Sequence, residues 1–125
     1  MKAWERYQRN EVLTSHPITA ISQGLRKSID DIKAAMEQFS LLQFREGSAN
    51  LEKAEGMLYV LIIAIYPAAE ADEEMSRILR IIDTCSTDVR EAQSHFKVEV
   101  LEEVVKALEK IYTIFKESEQ QWKKQ

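Results

Sequence analysis

Residues 18–39 read ITAISQGLRKSIDDIKAAMEQF, and this stretch decides the fold class. Its apolar side chains recur every three or four residues with charged residues between them: Ile18, Ile21, Leu25, Ile29, Ile32, Met36 and Phe39. That spacing puts a continuous apolar stripe on one face of an α-helix, and another element must cover the stripe. Pro17 suits the first turn because proline loses no hydrogen bond there, and Gly47 is expected to permit a chain reversal. The pattern predicts a helix over residues 17–44.

Three more stripes follow along the chain. The second is expected to begin at a Ser48 cap and to end near Tyr66, because Pro67 disfavours helical geometry in the residue before it. An acidic run at residues 70–74 favours the start of a third helix, whose stripe reaches Phe96. The fourth stripe runs from residue 98 to residue 115. A single helix over the last two stripes, roughly 55 residues, would be ~80 Å long, so a turn is expected at residues 94–97.

Four amphipathic segments with short connections predict an all-α fold, an antiparallel up-down bundle of four main helices. The bundle domain is assigned to residues 17–125, and residues 1–16 are expected to form a short N-terminal arm. With only 3 Gly and 2 Pro in 125 residues, a turn-rich β-fold is improbable.

Composition excludes several classes of function. A net charge of −4 argues against nucleic-acid binding, which needs clustered cations. The most apolar stretch, residues 57–69, is interrupted by Pro67 and is shorter than the ~20 residues that span a bilayer, so no membrane insertion is expected. The charged N-terminus lacks the features of an export signal, which favours a cytoplasmic protein.

The chain offers little material for catalysis or metal binding. A di-iron bundle needs two Glu-x-x-His pairs, whereas His95 follows Glu91 by four residues and His16 precedes the first helix. The single cysteine, Cys85, lies on the core stripe of the third helix and is expected to be buried. The motifs of phosphate loops and nucleophile elbows are missing from the sequence. We therefore expect no cofactor, no metal and no enzymatic activity.

The second helix is apolar in nearly every direction around its axis, from Leu58 to Ile65. A bundle helix needs only one apolar stripe. Three explanations stay open: the helix is unusually deep or covered by the N-terminal arm, it forms a groove for an apolar helix of another protein, or it forms a homodimer.

Short matches to a known protein family are spread over nearly the whole chain. The opening matches at Tyr7, Gln8, Asn10, Val12, Thr14 and Pro17, and later matches fall at Lys53, Ala54, Leu61, Glu91, Ala92, Leu101, Glu103 and Val104. With these residues the chain resembles the FliS family of flagellin export chaperones. The departures include the family's Leu-Tyr-Asp-Gly-Ala, replaced by residues 24–28, and its late Trp, replaced by Phe115.

This resemblance implies a cytoplasmic helical bundle that binds the C-terminal helical segment of flagellin and prevents premature polymerisation, without cofactor or catalysis. Combined with the apolar stripes, it suggests partner-binding residues in the arm and on the helices: Tyr7, Val12, Leu61, Ile65, Ile78, Ile82, Val104, Leu108 and Ile111. An empty groove is expected to accept the arm, which would then compete with the client.

Two alternatives remain beside the flagellin chaperone. The departures suit a divergent paralogue acting as adaptor or co-chaperone for another secretion protein. A small helical metal protein or enzyme is the third class. If the groove assignment is correct, Asp at Leu61, Ile65, Val104 or Leu108 is expected to abolish binding and spare folding.

Overall fold

Four α-helices make up the computed structural model, which describes residues 17–123. They are α1 (Pro17–Ser40), α2 (Phe44–Ala69), α3 (Glu73–His95) and α4 (Val98–Lys123). The connections are two or three residues long, so consecutive helices run antiparallel. Each helix packs against two neighbours, in the ring order α1, α2, α3, α4 and back to α1. The predicted all-α, four-helix architecture is confirmed.

The core lies on the bundle axis and contains one stripe from each helix. Its largest fully buried aliphatic side chains come from all four: Ile18, Leu25, Ile29, Ile32, Leu51, Leu58, Ile65, Ile82, Val89, Leu101, Val104 and Leu108. The α1 stripe predicted from the sequence is therefore the stripe that the bundle buries, with Met36 packed at its edge.

The turn between α1 and α2 lies earlier than the sequence suggests. Helix α1 ends at Ser40, and Leu42 adopts a left-handed conformation with φ 61°. The backbone N–H of Gln43 donates to the carbonyl of Gln38 at 2.8 Å, and that of Leu42 donates to Phe39 at 3.1 Å. These are the two hydrogen bonds of a Schellman motif, here with leucine where glycine is usual.

Gly47 and Ser48 consequently lie inside α2, and the predictions of a reversal and a cap at these residues are wrong. Gln43 precedes the first residue of α2, without a side-chain capping bond. Gly47 serves a different purpose, because a Cβ there would lie 2.5 Å from the ring of Phe39. Its missing side chain lets the start of α2 approach the end of α1 closely.

The other two connections follow the predictions more closely. Helix α2 continues three residues beyond Tyr66, with Pro67 in its last turn, so the proline did not end it where expected. Asp72 caps α3 by accepting a 2.8 Å hydrogen bond from the N–H of Glu74. Helix α3 ends at His95, within the turn predicted at residues 94–97. The next residue, Phe96, is left-handed with φ 54° and donates its N–H to the Ala92 carbonyl at 2.7 Å.

Polar side chains connect three of the four helix pairs. Asn50 donates to Gln38 at 2.6 Å between α2 and α1, and Thr19 donates to Glu119 at 3.3 Å between α1 and α4. Arg90 on α3 forms a 2.8 Å ion pair with Glu55 on α2. These bonds link neighbouring helices at three contacts, and the α3–α4 contact contains a groove.

The glycines of α2 permit a matched stability test. Gly47→Ala should lower the free energy of unfolding by about 1–3 kcal/mol, because its methyl group overlaps a buried ring. Gly56→Ala should raise it by about 0.5–1 kcal/mol, because alanine stabilises a helix interior and the new methyl group meets nothing within 4 Å. Urea denaturation followed by circular dichroism measures both, and equal effects would contradict the close contact at Phe39.

Candidate binding groove

A groove lies between α3 and α4, with a volume of about 810 Å³. Its apolar lining comes from both helices: Ile78 and Ile81 on α3, and Ala107, Ile111 and Ile114 on α4. Ala107 is the smallest of these apolar side chains, and the isoleucine side chains line the open channel with it.

The groove continues towards the α3–α4 turn in a second section of about 310 Å³. Ile81 and Ala107 line both sections, and Cys85 and Val104 line only the second. On α3 the combined lining runs from Glu74 to Asp88. At 1.5 Å per residue this run is about 20 Å long, equal to roughly four turns of a docked helix.

Charged side chains of both signs border the apolar channel. Glu74 and Arg77 stand on α3, and Glu103, Lys106, Glu109 and Lys110 stand on α4. Lys106 and Glu103 approach each other at 3.4 Å, both well exposed, so their pairing contributes little stability. The mixed charges on the rim therefore favour neither an acidic nor a basic partner. Apolar contacts would dominate binding at this groove.

The structure brings only some of the predicted partner-binding residues to this groove. Ile78 and Ile111 line its first section, and Val104 lines the second. Ile82 and Leu108 lie wholly in the core, as do Leu61 and Ile65 on α2. Tyr7 and Val12 fall outside the described residues.

The expectation that Asp at Leu61, Ile65, Val104 or Leu108 would spare folding needs correction. Each of these side chains is at most 2% exposed and packs in the core. An aspartate there would place a carboxylate in an apolar interior without a partner, so it would unfold the bundle before it reported on binding.

Sequence reasoning missed Ile81, Ala107 and Ile114. Ile81 and Ile114 each follow a stripe residue, Ile78 and Ile111, by three positions, and so widen the apolar face towards the seam between α3 and α4. The wider apolar face can be recognised in the sequence. The role of Ala107 cannot, because it depends on the open space beside a small side chain in the folded bundle.

The apolar side chains of α2 are divided between the core and the surface of the bundle. Leu58, Leu61 and Ile65 face the core, whereas Tyr59, Val60, Ile63 and Tyr66 are 54–63% exposed. Among residues 17–123, the bundle does not enclose α2 on all sides. We call these four exposed residues the α2 stripe.

Cys85 is buried as predicted, at 3% exposure. Burial raises the pKa of its thiol from 9.0 to about 12, and the nearby carboxylate of Asp88 adds to the increase. The thiolate form is thus strongly disfavoured in the folded protein.

No group of three or more His, Cys, Asp or Glu within residues 17–123 is arranged to hold a metal ion. His95 occupies the last turn of α3 and is exposed. None of the four described helices is long and apolar enough to cross a lipid bilayer.

Geometry defines the class as an antiparallel four-helix bundle with an apolar groove between its last two helices. Comparison of the chain with protein-family models, with curated proteins and with solved structures finds no match.

The buried thiol gives a test of the assigned α3 face. At pH 8, Cys85 should react with iodoacetamide at least about a hundredfold more slowly in the native protein than in denaturant, because burial blocks access and suppresses the thiolate. The rate of loss of free thiol, measured by mass spectrometry, checks this. Equal rates would show that the α3 face bearing Ile78 and Ile82 is misassigned.

Proposed function

We propose that this protein is a cytoplasmic, non-enzymatic chaperone of the flagellin export type. It binds an apolar helical segment of its client in the α3–α4 groove. The client proposed is the C-terminal helical segment of flagellin, held by the chaperone in an unpolymerised state. The observation that carries the proposal is the open, isoleucine-lined groove between α3 and α4.

The groove has the dimensions and chemistry of helix-in-groove recognition. An amphipathic helix of about four turns presents apolar side chains at positions i, i+3, i+4 and i+7 along one face. Ile81, which is 38% exposed, and the partly buried Ile114 provide aliphatic contacts for such a face, and the buried Ile78 and Ile111 form the floor beneath them. The mixed charges on the rim remain in water. Each well-buried aliphatic anchor of the client contributes roughly 1–3 kcal/mol.

Such binding needs no nucleotide hydrolysis. Filament subunits have apolar terminal helices that associate prematurely when exposed, and a groove that covers them lowers the concentration of free segment. Binding free energy is sufficient for this task.

The family resemblance supports the flagellin client, and its main departure lies away from the groove. Residues 24–28 replace the family's Leu-Tyr-Asp-Gly-Ala and belong to α1. Gly24 is buried at the α1–α2 contact, where a Cβ would lie 2.8 Å from the Leu61 side chain. Residues 24–28 lie outside the α3–α4 lining.

The same departure also favours the second candidate, an adaptor for another secreted helical protein. Arg26 is exposed on α1, pairs with Asp30 at 3.0 Å and lies 5.8 Å from the ring of Tyr112 on α4. A charged surface of this kind on α1 differs from the family's pattern. A client that also contacts α1 would therefore differ from flagellin.

Two groove variants test the proposed site without disturbing the core. Ala107→Phe should fill the channel, and Ile81→Asp should place a charge against the client's apolar face; each should weaken binding at least tenfold. Titration of flagellin's C-terminal segment, followed by calorimetry, measures the affinity. Leu42→Asp is the matched control, because Leu42 is 74% exposed, does not line the groove and has a left-handed backbone that aspartate tolerates.

The outcomes separate the site from the client. Wild type and Leu42→Asp should bind alike, while both groove variants bind weakly and retain native helical content. If wild type does not bind the segment at micromolar concentrations, flagellin is not the client. If it binds and the groove variants bind equally well, the client occupies another surface.

A further inference from the structure

The α2 stripe forms a continuous apolar surface on the outside of the bundle. Ile63 follows Tyr59 by four residues and Val60 by three, and Tyr66 follows Ile63 by three, so all four lie on one side of the helix. From residue 56 to residue 69 the sequence contains no charged side chain. This surface shares no residue with the lining of the α3–α4 groove.

We propose that the α2 stripe is a homodimer interface, in which the α2 helices of two copies pack antiparallel about a twofold axis near Ile63. The proposal is independent of the proposed chaperone function, because it concerns a different surface.

The first argument is self-complementarity. In an antiparallel pair centred on Ile63, residues equidistant from it in sequence face each other. Tyr59 then lies opposite Pro67 of the second copy, and Tyr66 lies opposite Val60 of the second copy. Each aromatic ring meets a smaller side chain, which allows ridges to pack into grooves.

The second argument is area. A fully covered aromatic side chain buries about 150–250 Å², so the four half-exposed residues offer on the order of 500 Å² per copy. A symmetric pair doubles this to about 1,000 Å², which reaches the lower limit for a specific interface. The surface is thus large enough for a reversible dimer when it meets its own copy.

The third argument is the position of charge. No charged residue lies within the central four turns of the stripe, so the pairing buries no carboxylate or ammonium group without a partner. The two copies have the same net charge of −4, which repels them at long range. Added salt should therefore strengthen the association, the opposite of its effect on an interface formed by ion pairs.

Sedimentation equilibrium tests the oligomeric state. At ~50 µM, the average mass of wild type should approach twice that of the 14.5 kDa chain. At lower protein concentrations that leave some monomer, raising NaCl from about 0.05 to 0.5 M should increase the dimer fraction. Ile63→Asp should be monomeric with native helical content, because its side chain is exposed in the single copy. Leu42→Asp, an exposed apolar residue outside the stripe, should remain dimeric.

Cross-linking gives a second readout that tolerates any loss of stability in the aspartate variant. Ile63→Cys should form an intermolecular disulfide under mild oxidation, because the twofold axis brings position 63 of both copies together. Leu42→Cys should cross-link at least tenfold more slowly, and the buried native Cys85 should stay reduced in both.

Two results would overturn the proposal. If wild type is monomeric at ~50 µM, the α2 stripe is not a homodimer interface, and the remaining candidate occupants are residues 1–16 of the same chain or another protein. If Ile63→Asp is still dimeric and Ile63→Cys cross-links no faster than Leu42→Cys, the interface lies on another face.

Discussion

Burial of one apolar stripe from each of four helices is the interaction on which the rest of the structure depends. Each stripe follows the helical period, so a single helix cannot cover its own apolar face. Short connections force consecutive helices to run antiparallel, and the ring closes when α1 meets α4. The turns, the groove and the exposed stripe all follow from how completely each pair of neighbours covers the core.

The pairs of helices do not meet equally well. At the α1–α2 contact, side chains of the opposite helix occupy the space that a Cβ of Gly24 or Gly47 would need. At the α3–α4 contact, Ala107 is also small, yet no large side chain fills the space beside it, and a groove remains. Small residues thus produce opposite results, close packing at one contact and an open channel at the other.

The two apolar surfaces suit different partners. The groove is concave, about as long as a short helix, and bordered by charges of both signs, which fits the proposed capture of a helical segment from another protein. The α2 stripe is convex and uncharged, and about Ile63 each of its aromatic residues is opposite a smaller residue in an antiparallel pair. A dimer formed through α2 would leave the lining of both groove sections available, so the two proposed contacts are compatible within one assembly.

By itself the sequence determined the number of helices, the core stripes, the break after α3 and the burial of Cys85, because all of these follow from helical periodicity and chain length. It misplaced the first turn, because Leu42 adopts the left-handed conformation that sequence reasoning reserves for glycine, while Gly47 is needed for contact with Phe39. It also suggested binding residues such as Leu61, Ile82 and Leu108, which the core buries. Periodicity identifies the apolar face of a helix. Which part of that face meets a neighbour and which part borders a gap depends on the side-chain volumes of the opposite helix, so only the tertiary structure decided where the groove and the exposed stripe lie.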